Sequence, residues 1–459
     1  MKTIPNTHAE LLEKEAKYCS YGDTVHYAEE PIIFKNCDGS FLYDDKDTPY
    51  LDLQMWYSAV NFGYKNKKIS DALKNQIDNL PQLACQYLHA EKIQLAEAIA
   101  KKAEAAYGLQ GRVHFNVGGS QAVEDSLKLV RKNTKKQLVF AFQGSYHGRT
   151  FGATSITSSY RYRRPYGHFA DRAHFVPYPY CFRCPYGKTI DSCDYYCVQQ
   201  FERQFENEYF SFWDSKAKES EFSAFYIESM QGTGGYILPP PEYFKRLKAI
   251  LDHYKIKLVD DEIQVGMYRT GKFWALEHFG VKPDIVVFGK ALTNGLNPLS
   301  GIWAKEELIN PKEFPPGSTH STFSSNTLGT ATALQVMRLC DEENIGPMVL
   351  SKGAKYMAML KKLKDKHKVI GDISGLGLAL RVEICQTDGY TPNRELTDRI
   401  FQEGLKGDLT YKGKRMGLVL DVGGYYKNIF TLAPSFYVTD DEIQMAYELL
   451  DQLFIRCAS

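Results

Sequence analysis

Apolar residues in this chain fall into short continuous runs, separated by stretches of helical periodicity. Ile285–Phe288 is one such run, closed by Gly289, with Lys290 directly after it. Ile256–Gln264, IKLVDDEIQ, is a second, and Val113–Phe115, Gln137–Phe142 and Phe222–Glu228 follow the same rule. Runs of this length without polar alternation predict strands covered on both faces. Between them, Lys92–Tyr107 is a strong amphipathic helix, and Ala122–Lys132 puts Ala122, Val123, Ser126, Leu127 and Val130 on one helical face. Helix and strand alternating from Ile69 onward predict an α/β domain with a parallel sheet. An arm from Pro5 to about Leu53 precedes it: a polar amphipathic helix, then short strands around Ile32–Phe34 and Ser40–Asp44, with an Asp38-Gly39 hairpin signal between them. Thr327–Leu339 reads as a helix leading into a smaller C-terminal domain. The expected division is 1–60 for the arm and part of the small domain, 61–326 for the large domain and 327–459 for the C-terminal domain. No internal repeat is visible.

Bulk numbers narrow the classes. A chain of 459 residues exceeds one ordinary core, so two or more domains are expected. The 56 basic and 55 acidic residues leave a net charge of +1, against the basic face that a nucleic-acid partner wants. Apolar content of 44 % and aromatic content of 13 % suit a packed enzyme. No run approaches the roughly 18–20 apolar residues of a membrane span. The N-terminus lacks a hydrophobic signal core, so a cytoplasmic protein with mostly reduced cysteines is expected.

The chemistry gathers at strand ends. A lysine at the carboxyl end of a buried strand sits where open α/β sheets bind ligands, and desolvation there favours the neutral, nucleophilic amine. The preceding strand ends in Asp261, Glu262 and Gln264, one crossover-sized interval away. A Schiff-base lysine beside an acid that can balance a protonated ring nitrogen is what pyridoxal 5'-phosphate (PLP) requires. Strand, Gly118-Gly119-Ser120, then helix is the layout of a phosphate cradle. Tyr146 and His147 follow the strand Gln137–Phe142, where an aromatic ring can stack on a flat heterocycle. Tyr178–Cys197 carries Cys181, Cys184, Cys193 and Cys197 in a spacing that suits a four-thiolate metal site, free thiols or disulfides; no metal is assigned.

The stretches DDEIQVGMYRTGKFWA and PDIVVFGKALTNGLNPLSG resemble the class III aminotransferases, and the likeness runs from about Tyr43 to the C-terminus. The resemblance, strongest to ornithine and 4-aminobutyrate aminotransferases, implies the PLP-dependent transferase fold type I. That is a large domain on a mostly parallel seven-stranded sheet, plus a smaller α+β domain from both termini. It implies that Lys290 holds PLP, Asp261 pairs with the ring nitrogen and Gln264 with the ring oxygen. Tyr146 and Ile263 would cover the ring faces, with His147 and Glu228 nearby. Gly119, Ser120 and a second subunit's Thr322 would hold the phosphate, in a homodimer with shared active sites. Tyr57, Trp56 and Arg149 would meet the substrate, Arg149 gripping a carboxylate in a two-pronged fork. The Cys-rich stretch 178–197 is expected to be an insertion on the large domain, near the substrate entrance or dimer surface.

One departure bears on function. The family form Glu-Pro-Ile-Gln-Gly-Glu-Gly-Gly appears here as Glu228–Gly235, ESMQGTGG, with Thr233 at the second glutamate. Its usual partner, an arginine in Arg-Phe-Ala-Pro-Pro, is Thr431. Losing both members avoids an unpaired buried charge. The expected function is transfer of an amino group between an amino acid or ω-amino acid and a small 2-oxo acid, with weak use of glutamate. A PLP-dependent racemase or epimerase on the same fold is the alternative.

Overall fold

The computed structural model describes residues 7–22, 27–167, 169 and 173–458. Pro5, where the arm was expected to begin, and Ser459 lie outside these. Seven strands build the central sheet: β1 Gly111–Asn116, β2 Leu138–Phe142, β3 His174–Val176, β4 Phe222–Ile227, β5 Lys257–Asp261, β6 Ile285–Phe288 and β7 Ser300–Lys305. Their order is β1-β7-β6-β5-β4-β2-β3, and only β7 runs against its neighbours. Every residue of β4 and β6 is buried, as their unbroken apolar runs require. Asp261 lies opposite Val287 in the parallel β5–β6 pairing, so the ends bearing Asp261 and Lys290 lie side by side.

Both termini contribute to the second layer of structure. Pro49–Asp52 from the arm pairs in parallel with Lys414–Val419, and these join a five-stranded sheet. Ile370–Leu376, Ala379–Ile384, Ile429–Leu432 and Asp421–Gly423 form a separate four-stranded sheet. The arm differs from expectation in detail. Its first strand is Phe34–Asp38, not Ile32–Phe34, because Asp38 pairs with Phe41 around a two-residue turn at Gly39-Ser40, and that register pulls the strand forward. The helix expected at Ala122 begins at Gly119, one turn earlier.

The Cys-rich stretch docks on the four-stranded sheet. Tyr180 and Arg183 both hydrogen-bond the buried Glu383, and Arg183 Nη2 also reaches the Tyr390 carbonyl. All four of its cysteines are free thiols, and burial pushes Cys181 up to about 11 and Cys197 to about 12.

Candidate active site at the ends of β5 and β6

Lys290 opens a short 3-10 turn immediately after β6. Its ammonium donates to Gln264 Oε1 at 2.9 Å. Burial lowers its pKa to about 8, against the pull of Asp261, Glu228 and Asp421. The amine is neutral above that value, so the rate at which the apoenzyme captures pyridoxal phosphate should climb up to about pH 8 and level off beyond it. Stopped-flow absorbance over pH 6–10 checks this; a rise continuing to about pH 10, the range of an ordinary lysine, would contradict it.

Asp261 closes β5. Its Oδ2 lies 2.8 Å from His147 Nδ1, and its Oδ1 accepts the Ile263 N–H at 3.1 Å. His147 is fully enclosed; burial opposes its charge, but the Asp261 carboxylate outweighs this and raises its pKa. Glu228, just past β4, accepts the N–H groups of Tyr146 (3.0 Å) and Gly232 (2.9 Å), which fixes the loops on either side. Burial lifts its carboxyl to about 7, opposed by His147 and helped by Asp261.

These groups face one cavity of about 210 Å³, lined by Gly119, Ser120, Tyr146, His147, Glu228, Asp261, Ile263, Gln264 and Lys290, together with Gly148, Met230 and Val265. Its floor is the start of helix Gly119–Thr134, whose N-cap, Gly118, has no side chain to satisfy the first-turn N–H groups. A Cβ on Gly119 would come 2.8 Å from Ile263 Cδ1, so a larger residue there would push the Ile263 side chain aside. A carboxylate held by histidine, an uncapped helix start, an aromatic ring and a lysine of lowered pKa suit a planar cationic ring carrying a phosphate and an aldehyde.

The remaining expected residues lie outside this cavity lining. Arg149 is exposed, its guanidinium 4.4 Å from the Tyr162 ring centroid and 6.0 Å from that of Tyr146. Trp56 and Tyr57 are 55 % and 38 % exposed, in a turn where Met55–Ser58 all have positive φ. Four left-handed non-glycine residues in succession cost about 1–2 kcal/mol each. Asp52 holds the turn by accepting the N–H groups of Gln54 and Met55. Thr322 is exposed and away from its own chain's cavity.

The family model described as aminotransferase class-III matches residues 24–454. The chain belongs to the class-III aminotransferases. Among curated relatives of this family it is 31 % identical to the leucine/methionine racemase of Thermococcus litoralis, over 96 % of this chain and 94 % of that one. It is 30 % identical to the alanine/serine racemase of Pyrococcus horikoshii (96 % and 89 %) and 27 % identical to the 4-aminobutyrate aminotransferase GabT of Escherichia coli (98 % and 99 %). A transaminase from the marine bacterium Virgibacillus superposes with a TM-score of 0.85 at 25 % identity, covering 97 % of this chain and 98 % of its own. As a class-III aminotransferase the protein is a PLP-dependent enzyme of fold type I, and the reaction best supported is transamination. Among the described residues no helix is long and apolar enough to cross a membrane.

Two residues escaped the sequence reading. Arg269 is fully buried; it bonds Ser58 Oγ (2.9 Å), Asn61 Oδ1, the Leu378 carbonyl (3.1 Å) and the Pro434 carbonyl (2.7 Å), tying the strained turn to the backbone at Leu378 and Pro434. Burial lowers its pKa to about 10. Asp421 lies close enough to Lys290 for each charge to steady the other. Neither stands in a sequence pattern that advertises it.

Proposed function

We propose that this enzyme moves an amino group between an amino acid or ω-amino acid and a small 2-oxo acid. The convergence of Lys290, Asp261 and the uncapped helix start at Gly119 on one cavity carries the reading. Pyridoxal phosphate, when bound, supplies an aldehyde that captures amines and a ring that draws electrons from the carbon bearing the nitrogen. Gly119 and Ser120 would hold its phosphate, and Asp261, kept in place by His147, would balance its ring nitrogen. Tyr146 and Ile263 would cover its faces, and Gln264 would bond its ring oxygen. Glu228 keeps the Tyr146 and Gly232 loops in register for this.

Lys290 would anchor the cofactor and would move a proton on and off the carbon that bears the substrate's nitrogen. A pKa lowered to about 8 leaves part of the amine neutral at neutral pH, the form both roles need. Tyr57 and Trp56 would border the substrate, and Arg149 would take its carboxylate. We further propose a homodimer in which Thr322 of one copy completes the phosphate site of the other; its exposure, and that of Phe323 at 69 %, supports this. Ten free cysteines suit the reducing cytosol, the proposed location.

Thr233 and Thr431 stand where the family's glutamate–arginine pair would be, and both lie within 3.5 Å of the point where a Cβ on Gly423 would sit. Without that arginine, glutamate's second carboxylate lacks its fork-shaped partner. Glutamate should therefore convert the enzyme to its amine-loaded form about a hundredfold more slowly than the best donor. Equal rates in a single-turnover absorbance screen would sink the argument. The racemase relatives favour a second reading, proton return to the substrate carbon from either face. Chirality measured with and without a 2-oxo acid separates the two. Transamination needs the acceptor, and loss of optical purity in its absence would establish racemisation instead.

A further inference from the structure

Helix Gly119–Thr134 carries a buried acid beyond the turn that faces the cavity. Asp125 is 1 % exposed. Its Oδ2 accepts from Asn116 Nδ2 and lies 3.2 Å from His114 Nε2, which ties the helix to β1. Its Oδ1 accepts from Lys128 Nζ at 2.8 Å and from Thr319 Oγ1 at 2.6 Å, and Lys128 also donates to that hydroxyl at 2.8 Å. Burial raises the pKa of Asp125, but hydrogen bonds with His114, Lys128, Thr319 and Asn116 outweigh it and hold the carboxyl well below the usual range. A hydroxyl bonded to an ionised acid is held more firmly than one bonded to a neutral group.

Thr319 leads into the turn at 321–324. Ser321 Oγ and Ser324 Oγ lie 3.0 Å apart, the Ser321 N–H donates to Ser324 Oγ at 3.1 Å, and the Ser324 N–H returns to the Ser321 carbonyl at 3.1 Å. The turn is closed on itself, with Ser324 buried and with Thr322 and Phe323 exposed at its tip. Its far end is fixed separately. Ser325 has a φ of 52°, the buried His89 donates through Nε2 to its carbonyl at 3.2 Å, and Thr327 Oγ1 donates to the Pro81 carbonyl at 2.8 Å. A self-closed turn anchored at both ends is placed as one piece, so where Thr319 is held decides where Thr322 points its backbone.

We propose that Asp125 and Thr319 are positioning residues for cofactor binding: Asp125, on the helix whose start faces its own chain's cavity, holds Thr319 and so aims the Thr322 turn at the phosphate site of a second copy. This rests on the proposed homodimer in which Thr322 completes the neighbouring site. The two residues therefore act on the other copy's site. A staple acting only within its own chain would affect cofactor capture in that chain instead.

The test uses hybrid dimers, made by co-expressing two differently tagged chains and purifying through both tags. One chain of each hybrid carries Lys290→Ala, so borohydride can fix pyridoxal phosphate only to its companion. Mass spectrometry reads the trapped fraction against cofactor concentration. With Thr319→Val added to the Lys290→Ala chain, the intact site faces the altered turn. Half-saturation is then expected to need about tenfold more cofactor, the effect of losing one hydrogen bond to a charged group. With Thr319→Val on the lysine-bearing chain instead, that site faces an unaltered turn, and half-saturation should match a hybrid lacking the Thr319 change. Thr319→Ser, which keeps the hydroxyl, should restore capture in the first hybrid. Thr319→Ala replaces Thr319→Val should that variant fail to fold. Weakened capture in the site of the altered chain itself, or no change in either hybrid, would overturn the proposal. Light scattering of the wild-type holoenzyme separates the two readings: a monomer defeats the homodimer and this inference together, whereas a dimer with either contrary pattern defeats this inference alone.

Discussion

Lys290→Ala should lower turnover by about four orders of magnitude and leave pyridoxal phosphate without a covalent link to the protein. Two functions vanish with the one side chain. On the proposed roles, the anchoring amine is gone, and so is the base on the amine-bearing carbon; general-base catalysis alone is worth about 10²–10⁴. Among the described residues no other lysine lines the cavity, so no neighbour there can stand in. Turnover with the best donor gives the first readout. Mass spectrometry after borohydride reduction gives the second: wild-type protein gains the cofactor's mass on the peptide containing Lys290, and the variant gains none. A variant retaining more than about a hundredth of wild-type turnover would refute the role.

Asp261→Asn should cost about a thousandfold in kcat and weaken cofactor binding. The amide keeps an oxygen for the Ile263 N–H, which Asp261 Oδ1 accepts at 3.1 Å, so the end of β5 should survive. It cannot balance a positive ring nitrogen, and the ring then draws electrons poorly. The change also strips His147 of the carboxylate that raises its pKa. With the anion gone, burial dominates and His147 should become neutral at pH values where it is now charged. Titration of apoenzyme with pyridoxal phosphate, followed by absorbance, measures the binding loss, and NMR of the imidazole follows the second effect. An unchanged kcat would show that Asp261 does not face the ring nitrogen.

The sheet was legible because burial on both faces leaves little choice of residue. Ile285–Phe288 was read at its observed bounds, and β5 differs from its expected run by shedding Ile256 and the polar tail after Asp261. Helix starts were read less well. Gly119 and Ser120 look like loop residues by propensity, yet they form the first helical turn, since an anion-binding N-terminus does without a side-chain cap. The arm strand slipped by two residues because hairpin register, not the apolar run at Ile32, sets where pairing begins.

By itself the sequence determined the α/β class, the strand ends that carry Lys290 and Asp261, and the strand–glycine–serine–helix layout before Gln121. Each is a local pattern, written in residues close together in the chain. Tertiary structure alone decided that His147 grips Asp261 across 114 positions, and that Arg269 pins the left-handed turn at Trp56 and Tyr57 to the Leu378 and Pro434 carbonyls. These depend on strand pairing and domain packing over long separations, and a single chain of letters carries no periodicity that encodes them.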